Sequence, residues 1–354
     1  MINKIRDIIN KNRLYSCMAV FIILIQAAAL MTGNSEDISE EKRSLSSDEL
    51  KEQMELRQEA FRQIIKKDQR LAANMGFLSL FMIIIFITGI VFLADYINKR
   101  KRYNIELIPK TLDAPPPLWS PGDVLKVIIL ILFFSQIFFI FAAFLDKIFY
   151  NRSMDKRSGI IASTVFTDIL IFMLVLKVVM EKYRQSIAAL GISFKSFLRN
   201  IGIALYSYIG FLPVLAVIFV TILTAAKVFN YSPPPQPIYE LIFEEKRVFL
   251  LLMISIMISM VGPFIEEVFF RGFLYAALRR RLSASLSIFI SAFFFSLLHA
   301  NLLGFFPILA LGMFLAYLRE KTNSLIPSIA VHILHNTALT CMMFFVREIT
   351  SKTI

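Results

Sequence analysis

Three ionisable side chains interrupt one long apolar stretch of this chain, in Glu266-Glu267-Val268-Phe269-Phe270-Arg271. An acidic side chain at mid-bilayer costs about 2.5–3.5 kcal/mol on insertion scales. Two adjacent carboxylates therefore need compensation, or one proton retained between them. Arg271 lies four residues beyond Glu267, a spacing that lets the two pair on one helix face. Glu266, about 100° round the helix, is left to point elsewhere. The pattern reads as one orienting and one working carboxylate. An ion pair that only locks helix packing is the competing reading.

All three histidines of the chain fall in its last 56 residues, at 299, 332 and 335. His299 closes Phe295-Ser296-Leu297-Leu298-His299. A turn near residues 282–283 puts Glu266 about 16 residues before it and His299 about 16 after it. At about 1.5 Å per residue, an antiparallel hairpin sets the two at nearly equal depth. In His332-Ile333-Leu334-His335-Asn336, His332 and Asn336 share a face at i,i+4, and His335 is rotated away. Polar groups in an apolar helix need partners across a bundle.

Together these groups could carry out hydrolysis. A carboxylate and an imidazole can take the proton of a water as it attacks a carbonyl. A second imidazole and an amide can donate hydrogen bonds to the oxyanion, more strongly where water is scarce. No G-x-S-x-G nucleophile turn and no H-E-x-x-H is present. Glu266, His299 and His332 could also hold zinc, since two His and one carboxylate form a known catalytic set.

The elements that must position these residues are membrane spans. Of 354 residues, 57% are hydrophobic and 35 are Phe, well above the apolar share of soluble domains. Apolar runs recur at about 14–33, 71–96, 124–146, 159–180, 200–227, 248–278, 284–300, 303–318 and 325–346. The expected fold is an all-α, polytopic transmembrane helix bundle of about eight to nine spans. Gly262-Pro263 should kink the long 248–278 run. Prolines at 115–117 and 233–235 mark the segments 103–123 and 228–246 as loops. A charged segment over 34–70 carries a capping-box pattern at Ser46 and Glu49.

The net charge of +12 would suggest nucleic acid for a soluble protein. Here the basic residues flank apolar runs, as at 99–102 and 279–281, so they read as topology and headgroup signals. The N-terminus, 99–102, 182–199, 279–281 and 319–321 all fall on the cytoplasmic side if 248–281 crosses only once. Cys17 and Cys341 sit in different runs and form no framework. The run at 14–33 is long for a signal peptide and reads as a retained first span.

At these residues the chain resembles the family of CAAX prenyl endopeptidases and bacteriocin-processing enzymes, the Abi or CPBP family. Its three motifs match Glu266-Glu267 with Arg271-Gly272, Phe295 with His299, and His332 with Asn336. Thr322-Asn323-Ser324-Leu325-Ile326-Pro327 resembles the family's approach to the third motif. The resemblance covers about residues 185–346. It divides the chain into an N-terminal membrane region, 1–150, with no counterpart, and a protease-like region, 151–354.

The resemblance implies an intramembrane glutamate protease without a cofactor. Glu266 matches the general base, with His299 helping to activate water. His332 and Asn336 match the oxyanion-stabilising pair, Arg271 the partner of the Glu pair, and Glu267 a supporting member of the motif. His335 is no motif position and reads as a structural neighbour. The implied partners are the lipid bilayer and a membrane-associated peptide or protein substrate, which could be lipidated, and not nucleic acid. A prenylated CAAX segment, a leader peptide and bacteriocin immunity are equally open, the last two in a bacterial cytoplasmic membrane. A zinc-dependent membrane hydrolase and a non-catalytic scaffold or immunity protein stay open as well. A transporter ranks lower, since no inverted repeat is visible.

Overall fold

The computed structural model describes residues 12–32, the single positions 59, 63 and 66, and 68–103, 108–148, 156–229, 231, 237–299 and 301–351. The capping-box pattern at Ser46 and Glu49, and most of the charged 34–70 segment, lie outside them. Among the described residues the regular structure is helical throughout, with no strand. In chain order the helices are α1 (Arg13–Thr32), α2 (Gln69–Tyr103), α3 (Pro121–Ile148) and α4 (Lys156–Leu176), which ends in a π-helical turn, Lys177–Lys182. Then come α5 (Phe197–Val228) and the short α6 (Pro237–Glu244), which occupies part of the segment read from sequence as a loop. Leu241 and Ile242 bury against Ile254, so packing onto the next helix explains this departure.

The next traverse is one continuous but irregular helix. It comprises α7 (Val248–Ile256), a π-turn (Met257–Val261), α8 (Gly262–Glu267), a second π-segment (Val268–Leu274) and α9 (Tyr275–Arg279). α10 (Ala284–Leu297), α11 (Leu302–Thr322) and α12 (Ile326–Ser351) complete the bundle. Among the described residues seven helices are long and apolar enough to span a membrane, and the stretches Arg13–Ala27 and Ala284–Leu297 are shorter apolar helices. Large side chains such as Phe77, Phe139 and Phe219 are exposed on their outer faces, as lipid-facing surfaces require.

The core lies around the traverse. Phe269, Phe270 and Phe273 bury against Trp119, Val175, Val179, Leu190 and Phe295. Trp119 Nε1 donates to the Phe273 carbonyl at 2.9 Å, which satisfies the indole inside an apolar cluster. The basic ends gather at one end of the bundle. Arg279 meets Glu320 at 3.2 Å, Arg280 donates to the Trp119 carbonyl at 2.7 Å, and Lys182 pairs with Asp123. This grouping agrees with one crossing by 248–281.

α2 and α5 approach most closely at Gly89. A Cβ there would lie 2.4 Å from the Ile209 carbonyl oxygen and 2.8 Å from Pro213 Cδ. Backbone and a proline ring cannot yield to it. Gly89→Ala is therefore expected to destabilise the bundle by about 1–3 kcal/mol, the usual cost of overpacking. Thermal unfolding of the purified protein in detergent checks this, and an unchanged midpoint would contradict the close approach.

Candidate active site

The site is built round a buried guanidinium. Arg271 Nη1 donates to Glu267 Oε1 at 2.6 Å, and both side chains are completely buried. Arg271 Nη2 donates to the Gly312 carbonyl of α11 at 3.1 Å. The guanidinium carbon sits 4.2 Å from the ring centre of Phe295 on α10. A cation over an aromatic face contributes about 2 kcal/mol or more when desolvated. Three elements thus meet on one cation. Gly312 makes the meeting possible: a Cβ there would lie 3.2 Å from Arg271 Nη2 and 3.2 Å from Phe295 Cδ1.

Glu267 also holds His332. The Nδ1 of His332 lies 2.9 Å from Glu267 Oε1. An ionised carboxylate only accepts, so Nδ1 carries the proton and the ring orientation is set. The opposite ring nitrogen, Nε2, then faces Glu266 Oε2 at 3.7 Å. That separation is too long for a direct hydrogen bond and suits a bridging water. Glu266 has a side chain 37% exposed, whereas Glu267 is fully buried. The two adjacent carboxylates are therefore divided into a buried one and an accessible one by their angle round the helix. Glu266 Oε1 lies 4.0 Å from where a Cβ of Gly262 would stand, so its carboxylate folds back along its own helix.

The irregular backbone supplies a further contact. Gly262 N–H bonds to the Met257 carbonyl, one residue beyond α-helical reach. Pro263 has no N–H to offer. The Ile258 carbonyl thereby loses its helical donors at both spacings, and Asn336 Nδ2 donates to it at 3.0 Å. Ser259 Oγ donates to Thr340 Oγ1 at 3.1 Å beside it. Asn336 is anchored through one amide proton and keeps a second. π-Turns of this kind are frequent at functional sites.

Within the hairpin, Ser291 Oγ donates to the Phe270 carbonyl at 3.0 Å and Phe295 lies against Arg271. Continued one turn, that pairing runs toward Glu267 and His299. His299 Nδ1 lies 2.8 Å from the Phe295 carbonyl. The carbonyl can only accept, so Nδ1 is the donor and Nε2 is the ring nitrogen left for another partner. Both imidazoles pack edge-on against the Phe295 ring, His299 at 4.9 Å and His332 at 5.5 Å between centroids.

The structure thus joins Glu267, Arg271 and His332 by direct hydrogen bonds and sets Glu266 3.7 Å from His332. His299 reaches them through Phe295, and Asn336 holds the adjoining turn. His335 turns to α5, where Tyr208 Oη lies 2.9 Å from its Nδ1. Among the described residues, no three His, Cys, Asp or Glu side chains converge as a metal-ligand set. Glu266, His299 and His332 do not come together as a zinc-ligand set in this arrangement. Sequence reasoning passed over Gly312 and the Ile258 carbonyl. A glycine inside an apolar run gives only a weak signal, and Pro263 signalled a kink without naming the carbonyl it would release.

An all-α bundle that carries an acid–imidazole cluster between its helices, with Glu266 accessible and Glu267 buried, is the setting of this site. Residues 248–338 match the family model described as Rce1-like, type II CAAX prenyl endopeptidase Rce1-like. The matched segment holds all three motifs, and it is the family that those motifs resemble. No curated protein and no solved structure matches the chain.

Breaking a buried ion pair by removing one partner costs about 3–5 kcal/mol, because the other charge stays buried. Arg271→Met is expected to destabilise by that amount. Arg271→Lys should recover only part, since an ammonium cannot serve Glu267, Gly312 and the Phe295 face together. Thermal melts of Arg271→Met, Glu267→Gln and the double variant measure the coupling, and strictly additive losses would refute it.

Proposed function

We propose that this protein is an intramembrane endopeptidase in which Glu266 is the general base. A water held between Glu266 and the imidazoles loses a proton to the Glu266 carboxylate as its oxygen bonds to the peptide carbonyl carbon. His299, whose Nδ1–H is held by the Phe295 carbonyl, assists by accepting a hydrogen bond from the same water at Nε2. In this reading His332, its Nδ1–H committed to Glu267, presents Nε2 as the donor to the oxyanion. The free amide proton of Asn336 is the second donor. Glu266 then returns its proton to the leaving nitrogen as the C–N bond breaks.

The observation that carries this reading is the pairing of an accessible Glu266 with an imidazole oriented toward it by a buried, Arg-bound Glu267. The match to the type II CAAX prenyl endopeptidase model supports it. The substrate class we propose is a membrane-associated peptide, and a prenylated CAAX segment, named in the family's description, is the first to assay.

Glu266→Gln is expected to lower kcat by about a hundredfold to ten-thousandfold, the usual contribution of a positioned base. Its melting temperature should stay unchanged, because this side chain is partly exposed. Peptide cleavage by the purified protein in nanodiscs reads the effect, and full activity in this variant would sink the proposal. The same assay after exhaustive chelation should give the wild-type rate. A loss restored by zinc alone would replace a metal-free mechanism with a zinc hydrolase.

A further inference from the structure

α12 lays a polar stripe along the irregular traverse. His332, Asn336 and Thr340 stand at i, i+4 and i+8, so they share one face of the helix. His332 meets Glu267 at 2.9 Å, and Asn336 meets the Ile258 carbonyl at 3.0 Å. The third member, Thr340, meets Ser259, whose Oγ donates to Thr340 Oγ1 at 3.1 Å. Ser259 and Thr340 are both buried. Thr340 lies just beyond the segment that the family model matches, and neither hydroxyl belongs to the three motifs.

The direction of these bonds is fixed by chemistry. Thr340 Oγ1 donates its one proton to the Asn336 main-chain carbonyl at 2.8 Å. It therefore accepts from Ser259, and donation runs from Ser259 through Thr340 to Asn336. Hydrogen bonds in such a chain polarise and strengthen one another. Asn336 is thus tied to the π-turn at two points: its side-chain N–H directly on Ile258, and its carbonyl, through Thr340, on Ser259. The bond to Ile258 alone would let the amide follow any shift of α12 past the traverse. Two points fix both the rotation and the depth of α12 at this turn.

Neither hydroxyl needs the other to be satisfied. Thr340 is already served by the back-bond within its own helix. Ser255, one turn before Ser259, back-bonds to the Leu251 carbonyl at 2.7 Å. Ser259 instead turns across to α12. Building on the peptidase reading, we propose that Ser259 and Thr340 are positioning residues for Asn336, setting α12 so that the second amide proton of Asn336 is aimed at the oxyanion. Neither residue touches substrate in this role.

Ser259→Ala and Thr340→Val each remove one hydroxyl at nearly constant shape. In nanodisc cleavage assays each should lose about threefold to thirtyfold in kcat with KM unchanged, a fraction of what an oxyanion donor contributes in the transition state. Thr340→Ser keeps the hydroxyl and should recover most of the rate. In an Asn336→Ala background, Ser259→Ala should cost nothing further, whereas a hydroxyl that serves packing alone would cost the same in both backgrounds. Wild-type kcat in Ser259→Ala, a loss confined to KM, or losses that add with Asn336→Ala would overturn the proposal. Nitrogen-15 spectra of the side-chain amides give a readout that needs no cleavage, with the Asn336 signals identified by their loss in Asn336→Ala. Ser259→Ala should shift or broaden those signals, and unmoved signals overturn the proposal. Shifted signals in a protein that cuts no peptide would instead retain the positioning contact and count against the peptidase reading, so the two failures are distinguishable.

Discussion

The Arg271 guanidinium is the constraint on which the site depends. It is fully buried in a helix that must lie in hydrocarbon, where an unpaired charge is among the costliest things a chain can place. Its needs are met from three directions: a carboxylate on its own helix, a carbonyl on α11 and an aromatic face on α10. Each partner restrains something else. Glu267, held by Arg271, fixes His332. Phe295, held beneath the cation, is packed by both imidazoles. Gly312 stays bare so that the carbonyl can approach. A charge that would be a liability alone thus becomes the point that registers three helices.

The backbone contributes as much as the side chains. A regular α-helix through 248–279 would consume its own carbonyls. The first π-turn and Pro263 release the Ile258 carbonyl, and the second π-segment shifts the Phe270 carbonyl to a longer helical bond. The Ile258 carbonyl anchors Asn336, and the Phe270 carbonyl accepts from Ser291 as well as from the Tyr275 N–H. In a medium without water, released carbonyls must find donors. For Ile258 that donor comes from α12, and α10 adds a second donor at Phe270, so local irregularity is converted into contacts between helices.

The apolar runs of α2 to α5 and of α10 to α12 are readable from composition because hydrocarbon tolerates little else. The Glu267–Arg271 pair is readable because i,i+4 geometry belongs to any helix, and the neighbouring position of Glu266 follows from the same angle. The helix α6 was not readable. Its eight residues, beside prolines, are ordered by burial of Leu241 and Ile242 against a helix later in the chain.

The sequence by itself determined that few polar groups sit in an apolar bundle, and it determined which of them share a helix face, because helical periodicity is a local property. It also determined that one of two adjacent carboxylates would meet Arg271. Tertiary structure alone decided which carboxylate His332 would hold, that Phe295 would lie under the guanidinium, and that His335 would turn away to Tyr208. Those outcomes depend on rotation and depth between helices far apart in the chain. Rotation and depth are set by how Gly312, Gly89 and the π-turns let the helices approach, and no spacing along the chain encodes them.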